Sequence, residues 1–143
     1  MELISFASSA LVKLVLDESG SDITAAVWNG CDNALPSRLA YPEVCAAIAA
    51  AGRDHDLAES EAAAATAEWV TFWASMRPVE LSADVEQRAG ELAAVHGLRG
   101  ADAVHLASAL GLGATELTVA VWDRRLHTGV IAAGLAVAPA TLG

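Results

Sequence analysis

The sequence is poor in basic residues. It has 8 Lys and Arg residues against 18 Asp and Glu residues, which gives a formal net charge of −10 at pH 7. A general polynucleotide-binding surface needs a basic face to neutralise phosphates, so this composition argues against one. A role with nucleic acid would depend on a local site, a metal ion or the groove of a dimer. The acidity fits a basic partner equally well.

Cysteine and long apolar runs are also scarce. Cys31 and Cys45 are the only cysteines and no CxxC pattern occurs, which excludes a disulfide framework and favours a reducing compartment. No apolar run approaches the roughly 18 residues of a membrane span, and no basic segment precedes the first apolar stretch. The histidines form neither HxxxH nor HExxH, so a zinc site is not expected. We expect a cytoplasmic protein without a signal peptide or a membrane anchor.

Apolar residues, many of them alanine, make up 55% of the 143 residues, and the mean hydropathy is +0.42. This length predicts one domain, residues 1–143. Strand-like segments lie at 2–6, 33–37, 77–81, 115–121 and 134–139. Helical patterns lie at 8–16, 21–30, 42–53, 57–75, 82–97 (with Ser82 as cap and Gly97 as stop), 100–110 and 123–133. This alternation predicts an α/β domain with a central parallel sheet of about five strands flanked by helices.

Three carboxylates occur where acids are otherwise scarce. Glu43 in "AYPEVCAAIAAAG", Asp102 in "RGADAVHLASALGLG" and Asp123 in "VAVWDRRL" each fall in the first turn of a predicted helix. Each alone is consistent with capping, because a carboxylate there meets free N–H groups and the positive end of the helix dipole. In a parallel sheet, however, helices that follow strands begin at one edge, so the three can converge on one crevice. Such a crevice would raise the pKa values of its acids or bind a cation, for which Mg²⁺ or Mn²⁺ suits oxygen ligands.

The segment after the first predicted strand lacks an acid. "LISFASSALVKL" predicts a buried strand, a small turn and a helix, with Ser8 or Ser9 as the N-cap. Ala7 stands at the carboxyl end of that strand, where open α/β sheets place their ligand chemistry. A metal-binding crevice would want another carboxylate there, so the methyl group of Ala7 needs an explanation.

Four motifs, in order, resemble the PIN domain of the VapC family of toxin ribonucleases. "FASSALVKL" resembles the opening motif, "LAYPEVCAAI" the second with Glu43, "HGLRGADAVHLASAL" the third with Asp102, and "VAVWDRRLHTGVIAAGLAV" the fourth with Asp123. The resemblance covers nearly the whole chain and implies a three-layer α/β/α PIN-like fold. The chain departs from the family at Ala7, where the family has its first metal-binding aspartate, and at Val121, where many relatives have Thr or Ser.

The resemblance implies a toxin endoribonuclease that hydrolyses RNA phosphodiester bonds with Mg²⁺ or Mn²⁺, leaving a 5′-phosphate and a 3′-hydroxyl. Asp102 and Asp123, with an acid at position 7, would bind the metal, and Glu43 would assist directly or through a water molecule. Ser9 would orient the carboxylate at position 7. With Ala7 in that place, we expect this chain to be nearly inactive.

The same resemblance implies partners: an RNA substrate, a VapB-like antitoxin that covers the crevice, and a second copy of the chain in a homodimer. Arg99, Arg124 and Arg125 are candidates for RNA backbone contact, and a solvated face is the other interpretation of them. Two other functions remain open: a PIN nuclease of RNA processing without an antitoxin, and a non-catalytic acidic pocket that binds a basic peptide. Ala7 is interpreted as a deliberate substitution that makes a toxic enzyme tolerable to its expression host, or as the mark of a natural pseudoenzyme.

Overall fold

A parallel sheet of four strands forms the centre of the protein. The computed structural model describes all residues from Met1 to Gly143. The strands are β1 (Leu3–Phe6), β2 (Asn33–Ala34), β3 (Leu117–Ala120) and β4 (Ala136–Ala138), in the order β2-β1-β3-β4. All neighbouring strands are parallel, and β1 pairs with β3 along its whole length, from Leu3 with Leu117 to Phe6 with Ala120. The predicted parallel α/β architecture is confirmed, with four strands in place of about five.

The predicted strand at 77–81 is wrong. This segment forms one isolated parallel bridge, between Val79 and Ser37. Val79 N–H donates to Pro36 O at 2.7 Å and Arg38 N–H donates to Val79 O at 2.9 Å, so the segment lies beside the chain that leaves β2. Pro36 and Pro78 have no N–H to donate, and a ladder cannot continue through them. The same chemistry shortens the predicted strand at 33–37 to two residues.

Seven helices connect the strands: α1 (Ser8–Val15), α2 (Ser21–Asn29), α3 (Ala40–Arg53), α4 (Glu59–Ala74), α5 (Ala83–His96), α6 (Gly100–Gly111) and α7 (Arg124–Ala132). Helix α3 begins at Ala40, two residues before the predicted start at Pro42. Pro42 is the third residue of the helix, where its missing N–H would have had no partner within the helix. None of the seven helices has the length and apolarity that a bilayer crossing requires.

Local capping signals place the start and the end of α5 as predicted. Ser82 Oγ accepts a hydrogen bond from Val85 N–H at 3.2 Å, and Gly97 ends the helix with a φ of +62°. The left-handed region favours glycine because a Cβ atom is disfavoured there. The chain therefore turns directly from α5 into Leu98 and Arg99, which lead into α6.

Helices cover both faces of the sheet, which gives the predicted three layers. Side chains of α5, α6 and α7 form one buried cluster with Leu117 and Val119 of β3. Side chains of α1, α3 and α4 form the other with Ile4 and Phe6 of β1. This alternation follows from the period of two in a strand, which points successive side chains to opposite faces.

Trp69 of α4 is the largest fully buried side chain of the second cluster. Its ring lies 6.1 Å from that of Tyr41 and 5.5 Å from that of Trp73, measured between centroids. Its indole N–H has no hydrogen-bond partner. Trp69 is thus part of the core.

Candidate acidic site at the carboxyl edge of the sheet

Ala7 and Asp123 follow two adjacent strands. Ala7 comes directly after β1, and its N–H extends the ladder by donating to Ala120 O at 2.9 Å. Asp123 follows β3 and caps α7, since its Oδ2 accepts from Leu126 N–H at 3.0 Å. Because β1 and β3 are parallel neighbours, both residues lie at the same edge of the sheet. The Ala7 side chain is buried in the cluster that also contains Ala103.

Arg99 joins Asp102 to Asp123. Its Nε donates to Asp102 Oδ2 at 2.9 Å, and its Nη2 donates to Asp123 Oδ1, also at 2.9 Å. Asp102 is buried in the first turn of α6, whereas the Arg99 side chain is 61% exposed. The bond to Asp102, followed by the charges of both aspartates, raises the pKa of Arg99. Two carboxylates far apart in the sequence therefore meet at one guanidinium.

Glu43 is held by two residues that border the same site. Its Oε1 accepts from Ser8 Oγ at 2.6 Å and lies 2.6 Å from His105 Nε2. Ser8 follows Ala7, and His105 lies one helical turn after Asp102. At this distance from a carboxylate, Nε2 carries a proton and donates to Glu43, while the buried Nδ1 has no hydrogen-bond partner.

The contacts of Ser8 and His105 with Glu43 are not predicted by the sequence. The sequence predicts Ser8 as a candidate helix cap and does not predict its bond to Glu43. The one signal available was the position of His105 three residues after Asp102, which places both on one side of α6. Nothing in the sequence indicates that the partner of both is Glu43, which is 35 and 62 residues away along the chain.

Opposing effects act on the Glu43 carboxyl. Burial raises its pKa, but the hydrogen bonds from His105 and Ser8 and the charges of His105 and Arg99 lower it by more. The pKa of Glu43 therefore lies below its ordinary value of 4.5. The ionised form is the one that the site stabilises.

Acid should destabilise the protein partly through Glu43. A carboxyl whose pKa is lowered by folding contributes stability above its unfolded pKa, and this contribution is lost as pH falls from about 4.5 through the folded pKa. We expect Glu43→Gln to flatten the decline of the melting temperature in this range, measured by circular dichroism from pH 7 to pH 3. Glu68→Gln, on the exposed side of α4, is the control. Parallel curves for the parent chain and Glu43→Gln would contradict the assignment.

Ser9 supports the turn that carries Asp123. Its Oγ accepts from Trp122 N–H at 2.9 Å and from Asp123 N–H at 3.2 Å. The prediction of Ser8 or Ser9 as the N-cap of α1 is wrong: the cap position is Ala7, and both hydroxyls reach other segments. Trp122 in turn packs against Gly20, where an added Cβ, at a φ of +92°, would lie 2.8 Å from its Nε1. That Ser9 would orient a carboxylate at position 7 stays a prediction.

Ser9→Ala should destabilise the fold by about 1–3 kcal/mol, because two backbone N–H groups lose their acceptor. Urea unfolding monitored by tryptophan fluorescence measures this loss. Ser8→Ala is the matched control, since it removes the bond to Glu43 and leaves the Trp122–Asp123 turn intact. A loss under about 0.5 kcal/mol for Ser9→Ala would mean that water replaces the hydroxyl.

The other predicted arginines lie beside the acidic site and not within it. Arg124 and Arg125 line a surface cavity of about 710 Å³ together with His96, Arg99, Asp123 and Thr128. Neither makes an ion pair with a carboxylate. Their guanidinium groups are therefore available to a ligand, whereas that of Arg99 is engaged.

The site fits a divalent cation in donor chemistry but not in donor number. Carboxylate oxygens are the ligands that Mg²⁺ and Mn²⁺ prefer. However, no group of three or more His, Cys, Asp or Glu side chains in this structure could hold a metal ion. Ala7 contributes no oxygen, and Arg99 already binds Asp102 and Asp123.

Comparison with known proteins identifies the family of this chain. The PIN-domain family matches residues 8–126. The chain is 65% identical over 142 residues to Ribonuclease VapC45 and Ribonuclease VapC49, from two strains of Mycobacterium tuberculosis, and the match covers 99% of each chain. The chain belongs to the PIN-domain family, in its VapC branch. PIN-domain ribonucleases are generally dependent on divalent metal ions.

Solved structures show the same PIN fold at low sequence identity. Mycobacterium tuberculosis VapC20, described as a toxin that cleaves the sarcin-ricin loop, has a TM-score of 0.69 at 19% identity, with coverage of 93% of this chain and 96% of that one. A toxin–antitoxin complex from Klebsiella pneumoniae has a TM-score of 0.67 at 16% identity, with coverage of 99% and 98%. The PIN fold expected from the four motifs is confirmed.

Proposed function

We propose that this VapC-like chain is the toxin of a toxin–antitoxin module, an endoribonuclease whose activity is nearly abolished by Ala7. Support comes from the 65% identity to two proteins named ribonucleases, which extends over the whole chain. The observation that carries the proposal is the convergence of Glu43, Asp102 and Asp123 at the edge where Ala7 follows β1.

The proposed chemistry is hydrolysis of RNA phosphodiester bonds with Mg²⁺, or Mn²⁺, as the cofactor. Asp102, Asp123 and an aspartate at position 7 would hold the cation, which when bound activates water and stabilises phosphate charge. Glu43 has one oxygen occupied by Ser8 and His105, which fixes its carboxylate and leaves the second oxygen for the cation or a water ligand. Because Ser9 positions the Asp123 backbone, it acts through Asp123.

The buried methyl group of Ala7 explains the low activity expected of this chain. It adds no charge at the edge of the sheet where the ligands lie. The cation would therefore bind more weakly, and the attacking water would be less well positioned. Folding is not impaired, because the absence of one crowded carboxylate relieves repulsion.

The proposed partners follow from the same assignment. Toxin–antitoxin complexes among the structural neighbours support a VapB-like antitoxin, which would cover the acidic site. A homodimer and an RNA substrate in the cytoplasm complete the proposal. Arg124 and Arg125, free of ion pairs, are the arginines best placed to contact RNA phosphates.

Expression in a bacterial host tests the function as a whole. The present chain should permit growth, Ala7→Asp should arrest it, and Ala7→Asp with Asp102→Asn should permit it again. Co-expression of a small protein encoded immediately upstream should relieve the arrest, whereas a PIN nuclease of RNA processing would have no such neighbour. Growth at an equal rate with all three chains, at equal protein levels, would contradict the toxin assignment.

A non-catalytic acidic pocket is the second candidate, favoured by the absence of a three-ligand metal group in this structure. Such a pocket would bind a basic peptide with equal affinity in the presence and absence of a chelator. Arg99 argues against this function, because it already occupies one oxygen of each of two carboxylates that the peptide would need.

A further inference from the structure

We infer that Arg99 is an internal counter-ion that competes with a divalent cation for Asp102 and Asp123. Its guanidinium bridges the two carboxylates and must leave them before a metal ion can bind. This inference rests on the proposed function, in that it takes the acidic site to be the cation site. It concerns a residue that the sequence suggested for RNA contact.

The geometry of the bridge is that of a specific contact. Two different nitrogen atoms of one planar group donate to two different carboxylates, each at 2.9 Å. Such charge-assisted bonds are about twice as strong as neutral ones, and the rigid fork of arginine suits them. Arginine does not lose its proton in proteins, so the bridge persists wherever the aspartates are ionised.

Donors from the chain already serve all three acids of the site without a metal ion. Ser8 and His105 satisfy one oxygen of Glu43, and Arg99 supplies a donor to each aspartate. Each of the three acids thus has a donor from the chain itself. A cation would have to displace the guanidinium from oxygens that it needs as ligands, and this displacement lowers its apparent affinity.

Arg99 is able to leave without unfolding its surroundings. Its side chain is 61% exposed, whereas that of Asp102 is only 10% exposed. It also lines the cavity that contains Arg124 and Arg125, which gives the released guanidinium a solvated position. The exposed Arg99 side chain can therefore move away while the buried Asp102 side chain stays in place.

Metal affinity, measured without RNA, tests the inference. We expect Arg99→Gln to bind Mn²⁺ at least 10-fold more tightly than its parent, both in the present chain and in Ala7→Asp, by electron paramagnetic resonance titration of free Mn²⁺. A 10-fold change corresponds to about 1.4 kcal/mol. Arg125→Gln is the matched control, because it removes the same charge from the same cavity but breaks no ion pair. It should change the affinity by less than about 2-fold.

A second variant and a second readout guard against misfolding. Arg99→Lys keeps the charge but not the fork, and should give an intermediate Mn²⁺ affinity. Circular dichroism should show that both variants are folded. Added Mn²⁺ should raise their melting temperatures by more than that of the parent, because a ligand stabilises the state that binds it.

The outcomes separate the inference from the proposed function. Unchanged or weaker Mn²⁺ binding in Arg99→Gln, or an equal gain in Arg125→Gln, overturns the inference while Ala7→Asp still binds metal and cleaves RNA. If Ala7→Asp and Ala7→Asp with Arg99→Gln both fail to bind Mn²⁺ at millimolar concentration, the inference and the metal dependence fall together. A selective gain in Arg99→Gln supports the inference even if no RNA is cleaved.

Discussion

Replacing Ala7 by aspartate should raise the rate of RNA hydrolysis by at least about 100-fold. Loss of residues that merely orient a metal ligand costs about 10–100-fold in metal affinity or activity, and loss of a ligand costs more. Ala7 lies at the end of β1, beside the turn after β3 that carries Asp123. A carboxylate there would add both charge and an oxygen to a site that at present has too few ligands.

Single-turnover cleavage of a labelled RNA, with Mg²⁺ or with chelator, measures the effect of Ala7→Asp. Ala7→Asn is the matched control, since it has nearly the same shape but no charge, and it should stay near the parent rate. The cleaved products should carry a 5′-phosphate and a 3′-hydroxyl. Equal rates for Ala7→Asp and Ala7→Asn would argue that charge at position 7 is not what the site lacks.

The same substitution should make stability depend on metal. Residue 7 is buried, and an unpaired carboxylate in a buried position is costly. In chelator, Ala7→Asp should therefore melt at a lower temperature than the present chain. Mn²⁺ should restore its melting temperature, and Ala7→Asn should show no such dependence.

Trp69→Ala should destabilise the protein by about 3–5 kcal/mol, the usual cost of deleting a buried aromatic side chain. Trp69 is fully buried between α3 and α4, and its ring contacts those of Tyr41 and Trp73. For a chain of this size the loss corresponds to a fall in melting temperature of about 10–17 °C. Differential scanning calorimetry at neutral pH measures it.

A matched pair of variants identifies the origin of this effect. Trp69→Phe keeps most of the ring and removes the indole N–H that has no partner, so its cost should stay below about 1.5 kcal/mol. Val70→Ala, on the exposed side of the same helix, should change stability by less than about 0.5 kcal/mol. If Trp69→Phe were as harmful as Trp69→Ala, the indole N–H would have a partner that this structure does not show.

The sequence predicts best those features that neighbouring residues determine. The ends of α5 follow from Ser82 and Gly97, whose capping chemistry acts within one turn. The strand at 77–81 was wrong because its β-like pattern includes Pro78, and the pairing that it does make is with residues next to β2, some 40 positions away. Strand pairing depends on what the rest of the chain places alongside, and propensity does not contain that information.

The acidic site shows the same limit. Their isolation among apolar residues and their place at predicted helix starts singled out Glu43, Asp102 and Asp123, and the structure brings their surroundings together, although their roles stay predictions. The contacts that hold them are long-range: Ser8 with Glu43, and Arg99 with Asp123. A serine after a strand looks the same in sequence whether it caps its own helix or donates a hydrogen bond to a residue of another helix. An arginine before an acid likewise gives no indication of a second partner.

The contact between Gly20 and Trp122 links a remote loop to the acidic edge. The only residue type that leaves room for the indole is glycine, since a Cβ there would meet three ring atoms at 2.8–3.0 Å. The indole belongs to the residue just before Asp123, and Ser9 Oγ accepts hydrogen bonds from the backbone N–H groups of both residues. A methyl group at residue 20 would displace the Trp122 ring. That displacement would lengthen the hydrogen bonds to Ser9 and move Asp123 away from Arg99. The distance between Asp123 and Arg99 therefore depends partly on how closely the backbone at Gly20 approaches Trp122.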